Sequence, residues 1–416
     1  MSLDTPTLLE RFLRYVQVDT EAKEGSPTYP STPGQLDLGR MLVNELEEIG
    51  LQEVRQSDYG IVTATIPATV SHNAPTIAFI AHLDTSPETS GHGVKPIVHH
   101  NYNGEDIVLP GNPSQVIRVA ESPDLLKCKG KTIITTDGTT LLGADNKAGV
   151  ATITEAAAYL MRHPEIPHGP IRVVFTCDEE IGKGVVHVDP KELGCIVGYT
   201  LDGAAEGEVE GETFSADKAL ITFHGKNIHP ALAKGKMINS IRMAGMFISK
   251  LPPELSPEAT EDREGFVHPY VLEGGVALTK LHMLLRDFET PKLSQQADLL
   301  RSIASEVEAM YPGSRIDVDI HEQYRNMRDG MVGEPRAMAF AVEATKRAGL
   351  EVHQRAIRGG TDGSQLTAKG LPTPNLSTAE HNFHSPLEWT CLEEMQSAVR
   401  VIVELSQLWG AETIDE

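Results

Sequence analysis

Apolar and polar positions alternate along this chain with two different periods, and the changes of period lay out its elements. Residues 8–16 and 35–49 place apolar side chains on one helical face, and Gly50 stops the second helix. Between them, 24–33 is rich in Pro, Ser and Thr and reads as a loop. Residues 61–66 alternate as a strand. The runs 76–81 (Thr-Ile-Ala-Phe-Ile-Ala) and 171–176 (Ile-Arg-Val-Val-Phe-Thr) are short and apolar, as in strands buried on both faces, and 195–201 is a third. An Ala-rich helix over 150–161, closed by His163-Pro164, lies between the first two. Buried strands alternating with helices predict an α/β fold with a largely parallel sheet.

From residue 218 the character changes. A strand at 218–224, a helix at 237–249, two strands within 266–289, a helix at 291–310 and an alternating strand at 316–320 follow in turn. That β-α-β-β-α-β order is the split βαβ sandwich and reads as an inserted α+β domain. Helices at 334–348 and 392–408 return the chain to its first character, and Arg358-Gly359-Gly360-Thr361-Asp362-Gly363-Ser364 forms a Gly-rich turn before another helix, a potential anion cradle. The expected layout is a catalytic domain over 1–215 and 325–416, interrupted by an insert at 216–324.

Composition narrows the function. A length of 416 residues favours two cores, and 40% hydrophobic content is that of a globular chain. A formal charge of -23 repels polyphosphate, so nucleic acid is not an expected partner. No apolar run reaches membrane-spanning length, and Met1-Ser2-Leu3-Asp4 has no leader character. Cys128, Cys177, Cys195 and Cys391 are widely spaced without a paired motif, so a reducing cytoplasm is expected.

The chemistry collects where strands end. The first buried run delivers His82-Leu83-Asp84, and residues two apart on an extended chain point the same way, so Asp84 can orient His82. The second delivers Asp178-Glu179-Glu180, where adjacent acids need a cation or proton: one can ligate a metal while its neighbour acts on water. The third delivers Asp202-Gly203. Asp145 sits in a small-residue turn, Gly143-Ala144-Asp145-Asn146-Lys147, before the Ala-rich helix. The clustered His92, His99 and His100 fall in a long excursion over 87–132 and are assigned to a surface loop. Imidazoles and carboxylates without thiolate suit zinc, manganese or cobalt in a hydrolytic site.

This set, with a late histidine, resembles the di-zinc metallopeptidase family that includes carboxypeptidase G, aminoacylase and peptidase T. Asn227-Ile228-His229-Pro230, Leu285-Arg286-Asp287-Phe288-Glu289, Ile357-Arg358-Gly359-Gly360-Thr361-Asp362-Gly363 and Asn382-Phe383-His384 point to its peptidase T branch, the tripeptide aminopeptidases. The resemblance implies a zinc-binding α/β/α domain with an inserted ferredoxin-like lid that mediates homodimerisation. It implies two Zn2+ per subunit, replaceable by Mn2+ or Co2+, with His82 and Asp202 on one ion, Glu180 and His384 on the other, and Asp145 bridging them. Asp84 would hold His82, and Glu179 would be the general base.

His229, on the lid, would stabilise the oxyanion, and Arg286 and Arg358, assisted by Asn239, would bind a short peptide's terminal carboxylate. An N-acyl-amino-acid deacylase or carboxypeptidase on the same scaffold is the alternative. The chain departs from the branch in Gly203-Ala204, where Gly-Gly is usual, and in His384-Ser385-Pro386-Leu387-Glu388, which leaves His381 as a second candidate for the late histidine.

Overall fold

The strand Ile77–His82 is buried at every position because it has neighbours on both sides and helices on both faces. It runs parallel to Ile171–Thr176, with His82 level with Thr176, and parallel to Val197–Gly203. These three form the middle of an eight-stranded sheet. Its order is Gln52–Gln56, Val62–Ile66, Ile171–Thr176, Ile77–His82, Val197–Gly203, Asn375–Ser377, Glu208–Thr213, His353–Ile357. Three parallel strands therefore end at one edge, where an open α/β sheet carries its site.

The computed structural model describes residues 5–414; the N-terminal residues read above for leader character lie outside that range. The chain divides into two compact units. The first comprises residues up to Gly211, Asp329–Arg355 and from Thr361 onward, and the second Glu212–Arg328 with Ala356–Gly360.

In the first unit, the helix Ala144–Arg162 packs on the strands Ile77–His82 and Val197–Gly203, and the helices Thr5–Val16 and Leu392–Gly410 pack on it in turn. Almost all of its side chains up to Leu160 are buried, so its Ala-rich, weakly amphipathic sequence suits a helix enclosed on all sides. Glu155, within it and fully buried, is paired with Arg11 and with Arg162. Gly149 lets the helix approach the strand: a Cβ there would sit 2.1 Å from the Leu201 carbonyl oxygen. On the opposite sheet face, Ala78, Ile80 and Val174 gather with Leu366 and Leu371.

The 87–132 excursion is more structured than its loop composition suggests. Its Ile97–His99 pairs with Ile133–Thr135, which pairs with Trp389–Cys391, making a separate three-stranded sheet.

The second unit is a four-stranded antiparallel sheet in the order Phe266–Gly275, Leu278–Asp287, Ser215–His224, Arg315–Tyr324. Sequence and sheet order together define the split βαβ sandwich. Ser215–His224 alternates buried and half-buried residues, and its Ala219, Ile221 and Phe223 pack with Phe247 of the helix Ser240–Ser249 and Leu300 of the helix Thr290–Met310. The edge strand Phe266–Gly275 leaves Tyr270, Val271 and Leu272 exposed.

Candidate active site

His82, at the end of its strand, is 2% exposed, and its Nε2 lies 3.0 Å from Asp145 Oδ1 and 3.4 Å from Asp202 Oδ1. Its other ring nitrogen faces Asp84, 3.1 Å from the carbonyl oxygen and 3.4 Å from Oδ1. The Asp84 carboxylate also accepts the backbone N–H groups of Glu179 and Glu180, each at 3.1 Å. A single buried carboxylate thus fixes both the histidine and the turn that presents the two glutamates.

Of the three acids in that turn, only two face the site. Asp178, in a left-handed conformation, accepts from the Ser31 backbone at 2.7 Å and from Gln35 Nε2 at 2.7 Å. It anchors the turn to the neighbouring loop and helix, so the acids at 178–180 divide into one anchor and two site groups.

Asp145 is brought in by a different device. Glu388 accepts the backbone N–H groups of Leu142 (2.7 Å), Gly143 (2.8 Å) and Asp145 (3.0 Å), and Gly143 takes φ 80° to make the turn. Asp145 itself departs from helical geometry at the helix start, and its Oδ2 lies 3.2 Å from His384 Nε2. The same His384 nitrogen lies 2.9 Å from Glu180 Oε2. Asp145 therefore turns one oxygen to His82, which also meets Asp202, and the other to His384, which also meets Glu180.

His381 points elsewhere. Its Nε2 lies 3.0 Å from Glu394 Oε2 and its ring stacks on Trp389 at 3.8 Å. Glu394 also accepts from the Cys128 thiol, so His381 belongs to a buried network under the C-terminal helix.

The electrostatics are those of a site crowded with acids. Burial pushes Glu179 well above the usual carboxylate range, Asp362, Asp202 and Glu180 adding to it against the opposing pull of His82. Burial and Asp145 push Glu180 up to about 8. Burial also raises Asp202. Burial disfavours a charged His384 ring, but Asp145 and Glu180 outweigh it and hold the ring up to about 11. Burial likewise opposes a charged His82, and Asp202, Asp145 and Asp84 overcome it. Asp145, buried yet flanked by both rings, stays well below the usual range. Two imidazolium rings do not neutralise this many carboxylates, so the remaining acids need protons or a cation.

The residues present fit divalent metal. His82, Asp145 and Glu180 offer donor atoms close enough to share an ion, as do Asp145, Asp202 and Glu380, with Asp145 in both groups. Glu180 Oε1 is buried without a hydrogen-bond partner, as an oxygen reserved for a metal would be. Two imidazoles with carboxylates and no thiolate are a zinc-type hydrolytic donor set.

Glu388, Glu380 and Asp362 stand at the site without a role assigned from the sequence. Glu388 acts through three backbone bonds that no spacing rule announces. Glu380, 2% exposed, shares its segment with His381 and His384. The signal available for it was its position just beyond a strand that ends beside Asp202.

The other four residues singled out from the sequence fall in the inserted unit, and most have a role within it. Asn239 Oδ1 caps the helix Ser240–Ser249 by accepting from Ile241 N–H at 2.9 Å. Arg286, 9% exposed, donates to the Asp217 and Leu285 carbonyls and lies over the Tyr324 ring. Arg358 donates to the Asp262 and Glu264 carbonyls and lies over Phe214 and Phe266. His229 is exposed, with Nδ1 accepting from Ala231 N–H at 3.3 Å.

Imidazoles and carboxylates sharing one aspartate at the carboxyl edge of an α/β sheet define a metal-dependent hydrolase. The chain belongs to peptidase family M20/M25/M40, whose model matches residues 136–407. Within that family its relatives include peptidase T of Geobacillus sp. strain WCH70, 47% identical over 402 residues, which span 97% of this chain and 98% of that protein. Peptidase T of Listeria monocytogenes is 45% identical over 97% of this chain and 98% of that protein. The crystal structure of aminopeptidase PepT from Bacillus cereus superposes with a TM-score of 0.75 at 24% identity, covering 99% of this chain and 100% of that one. A Staphylococcus aureus tripeptidase superposes at 0.77 with 21% identity and the same coverage. Both structural likenesses speak for the fold.

Proposed function

We propose that this protein is a tripeptide aminopeptidase that releases the N-terminal residue of short peptides. The observation that carries the reading is the pair of donor groups sharing Asp145, with Glu179 beside them. Full-length likeness to proteins named peptidase T and the ordered motif set support it.

His82, Asp145 and Asp202 would hold one zinc ion, and Asp145, Glu180 and His384 a second; Mn2+ or Co2+ would substitute. When bound, the pair would supply Lewis acidity that lowers the pKa of water and polarises the scissile carbonyl. Asp84 keeps the His82 ring in the orientation that leaves Nε2 free for a metal. Glu179 takes a proton from the attacking water and passes it to the leaving amine, a task that burial favours by raising its proton affinity. His229, exposed on the insert, is assigned to the developing oxyanion. The peptide's terminal carboxylate is assigned to Arg286 and Arg358 with Asn239. A guanidinium fork keeps donors beyond those bound to carbonyls, and Arg286 engages them through Nη1 alone.

The catalytic domain, 1–215 with 325–416, carries the metals, and the insert at 216–324 pairs two subunits into a homodimer. The exposed Tyr270, Val271 and Leu272 on an edge strand support that role. Cytoplasmic residence is supported by four free cysteines and by the absence, among the described residues, of a helix long and apolar enough to cross a membrane.

Product analysis tests the function. Zinc-loaded protein is given an unblocked tripeptide, the matching dipeptide and the N-acetylated tripeptide. N-terminal release from the unblocked tripeptide alone is expected. Preference for the acetylated peptide, or release from its carboxyl end, would replace this reading with a deacylase or carboxypeptidase.

A further inference from the structure

Glu380 is a buried carboxylate that could reach an ion with Asp145 and Asp202 but stands outside the two ligand sets proposed above. It lies just beyond the strand Asn375–Ser377 and is 2% exposed. One of its oxygens lies within 4.8 Å of oxygens from both Asp145 and Asp202. Thr378 Oγ1 donates to Glu380 Oε1 at 2.7 Å, which fixes the side chain; no other hydrogen bond reaches its carboxylate among the described residues.

Three buried carboxylates this close repel one another unless a proton or a cation lies among them, and only a cation lets all three stay charged. Asp145 and Asp202 have His82 within reach. Each proposed ion already has three protein donors, the number that leaves a catalytic metal a position for water and substrate. A fourth donor from Glu380 would close that position on the Asp202 side. The charge of Glu380 is therefore left for a cation that arrives with the substrate. An unblocked peptide brings one, its α-ammonium, two bonds from the carbonyl carbon that is attacked.

We propose that Glu380 receives the α-ammonium of the substrate's first residue and makes the site select peptides with a free amino end. This rests on the aminopeptidase reading above and names the group that enforces it. An N-acylated peptide offers a neutral amide there, so binding it leaves a buried carboxylate without a counter-charge, a strong basis for rejection.

The test is calorimetric binding of trialanine and N-acetyl-trialanine to zinc-loaded protein carrying Glu179→Gln, which leaves the peptides uncleaved. The measurement is made with Glu380 intact, as Glu380→Gln and as Glu380→Asp, and zinc content is measured in each. Glu380→Gln is expected to weaken trialanine roughly 10- to 100-fold, leave N-acetyl-trialanine unweakened and keep both zinc ions, while Glu380→Asp retains part of the preference. Unchanged trialanine affinity, or equal losses for both peptides, would overturn the inference. Loss of one zinc equivalent would also overturn it, by making Glu380 a metal ligand. The two readings fail separately. If the wild-type enzyme releases N-terminal residues yet Glu380→Gln does not alter the preference, only this inference falls. If the wild type releases none, the aminopeptidase reading falls.

Discussion

The inserted four-stranded sheet and the edge of the eight-stranded sheet treat buried positions in opposite ways. In the insert, Ala219, Ile221, Phe223, Met283 and Leu285 fill the interior, while Asp319 and Glu322 stay exposed. The large sheet follows the same rule until its parallel strands end. There His82, Asp84, Asp362, Glu380 and Glu388 are each at most 3% exposed, and Asp145 and Asp202 lie among them. Burying acids costs free energy, so packing accounts for the first region and cannot account for the second. A fold keeps such a cluster where a ligand of opposite charge completes it.

Breaking the second region should abolish chemistry and leave the fold. Glu179→Gln is expected to lower kcat of the metal-loaded protein by about 10²–10⁴-fold with its metal content unchanged, read by steady-state kinetics and metal analysis. Normal turnover would remove Glu179 as the base. Breaking the first region should do the reverse. Phe247→Ala in the insert core is expected to cost about 3–5 kcal/mol of stability in denaturant unfolding, with zinc content unchanged.

A third prediction concerns protons. The His384 ring is held up to about 11 and Glu180 up to about 8, so the pair they form holds protons at neutral pH. Metal binding must displace those protons, and affinity therefore rises with pH and falls on acidification, by up to about tenfold per pH unit for each proton released. Calorimetry in two buffers of different ionisation heat reads the release directly, and equal heats in both would contradict it. The smallest effect is expected at the surface of the insert. Arg263 pairs with Glu212 with side chains 52% and 17% exposed, and Arg263→Ala should change stability by less than about 1 kcal/mol.

The same contrast explains what the sequence made legible. Ile77–His82 and Ile171–Thr176 could be read because strands buried on both faces are unbroken apolar runs, and their last residues pointed to the site. The insert could be read because Ser215–His224 and its partners alternate. Glu208–Thr213 and His353–Ile357 escaped, since their polar sequences, Glu-Val-Glu-Gly-Glu-Thr and His-Gln-Arg-Ala-Ile, suit the side of a sheet and carry no apolar run. The helix carrying Asp145 begins at Ala144, earlier than its Ala-rich stretch suggested, because Glu388, far along the chain, holds the turn. Asp178 looked equivalent to Glu179 and Glu180; only Ser31 and Gln35, brought in by the fold, distinguish it. Short-range pattern identifies elements, whereas the sorting of neighbouring acids depends on contacts distant in sequence.

The central claim is that Asp145 joins two metal ions at the carboxyl edge of the large sheet. Anomalous diffraction at the zinc edge, from crystals grown with zinc, tests it most directly. The account predicts two peaks flanking the Asp145 carboxylate, one against His82 and Asp202 and the other against Glu180 and His384. A single peak that Asp145 does not share, or zinc held by His381 in place of His384, would contradict it.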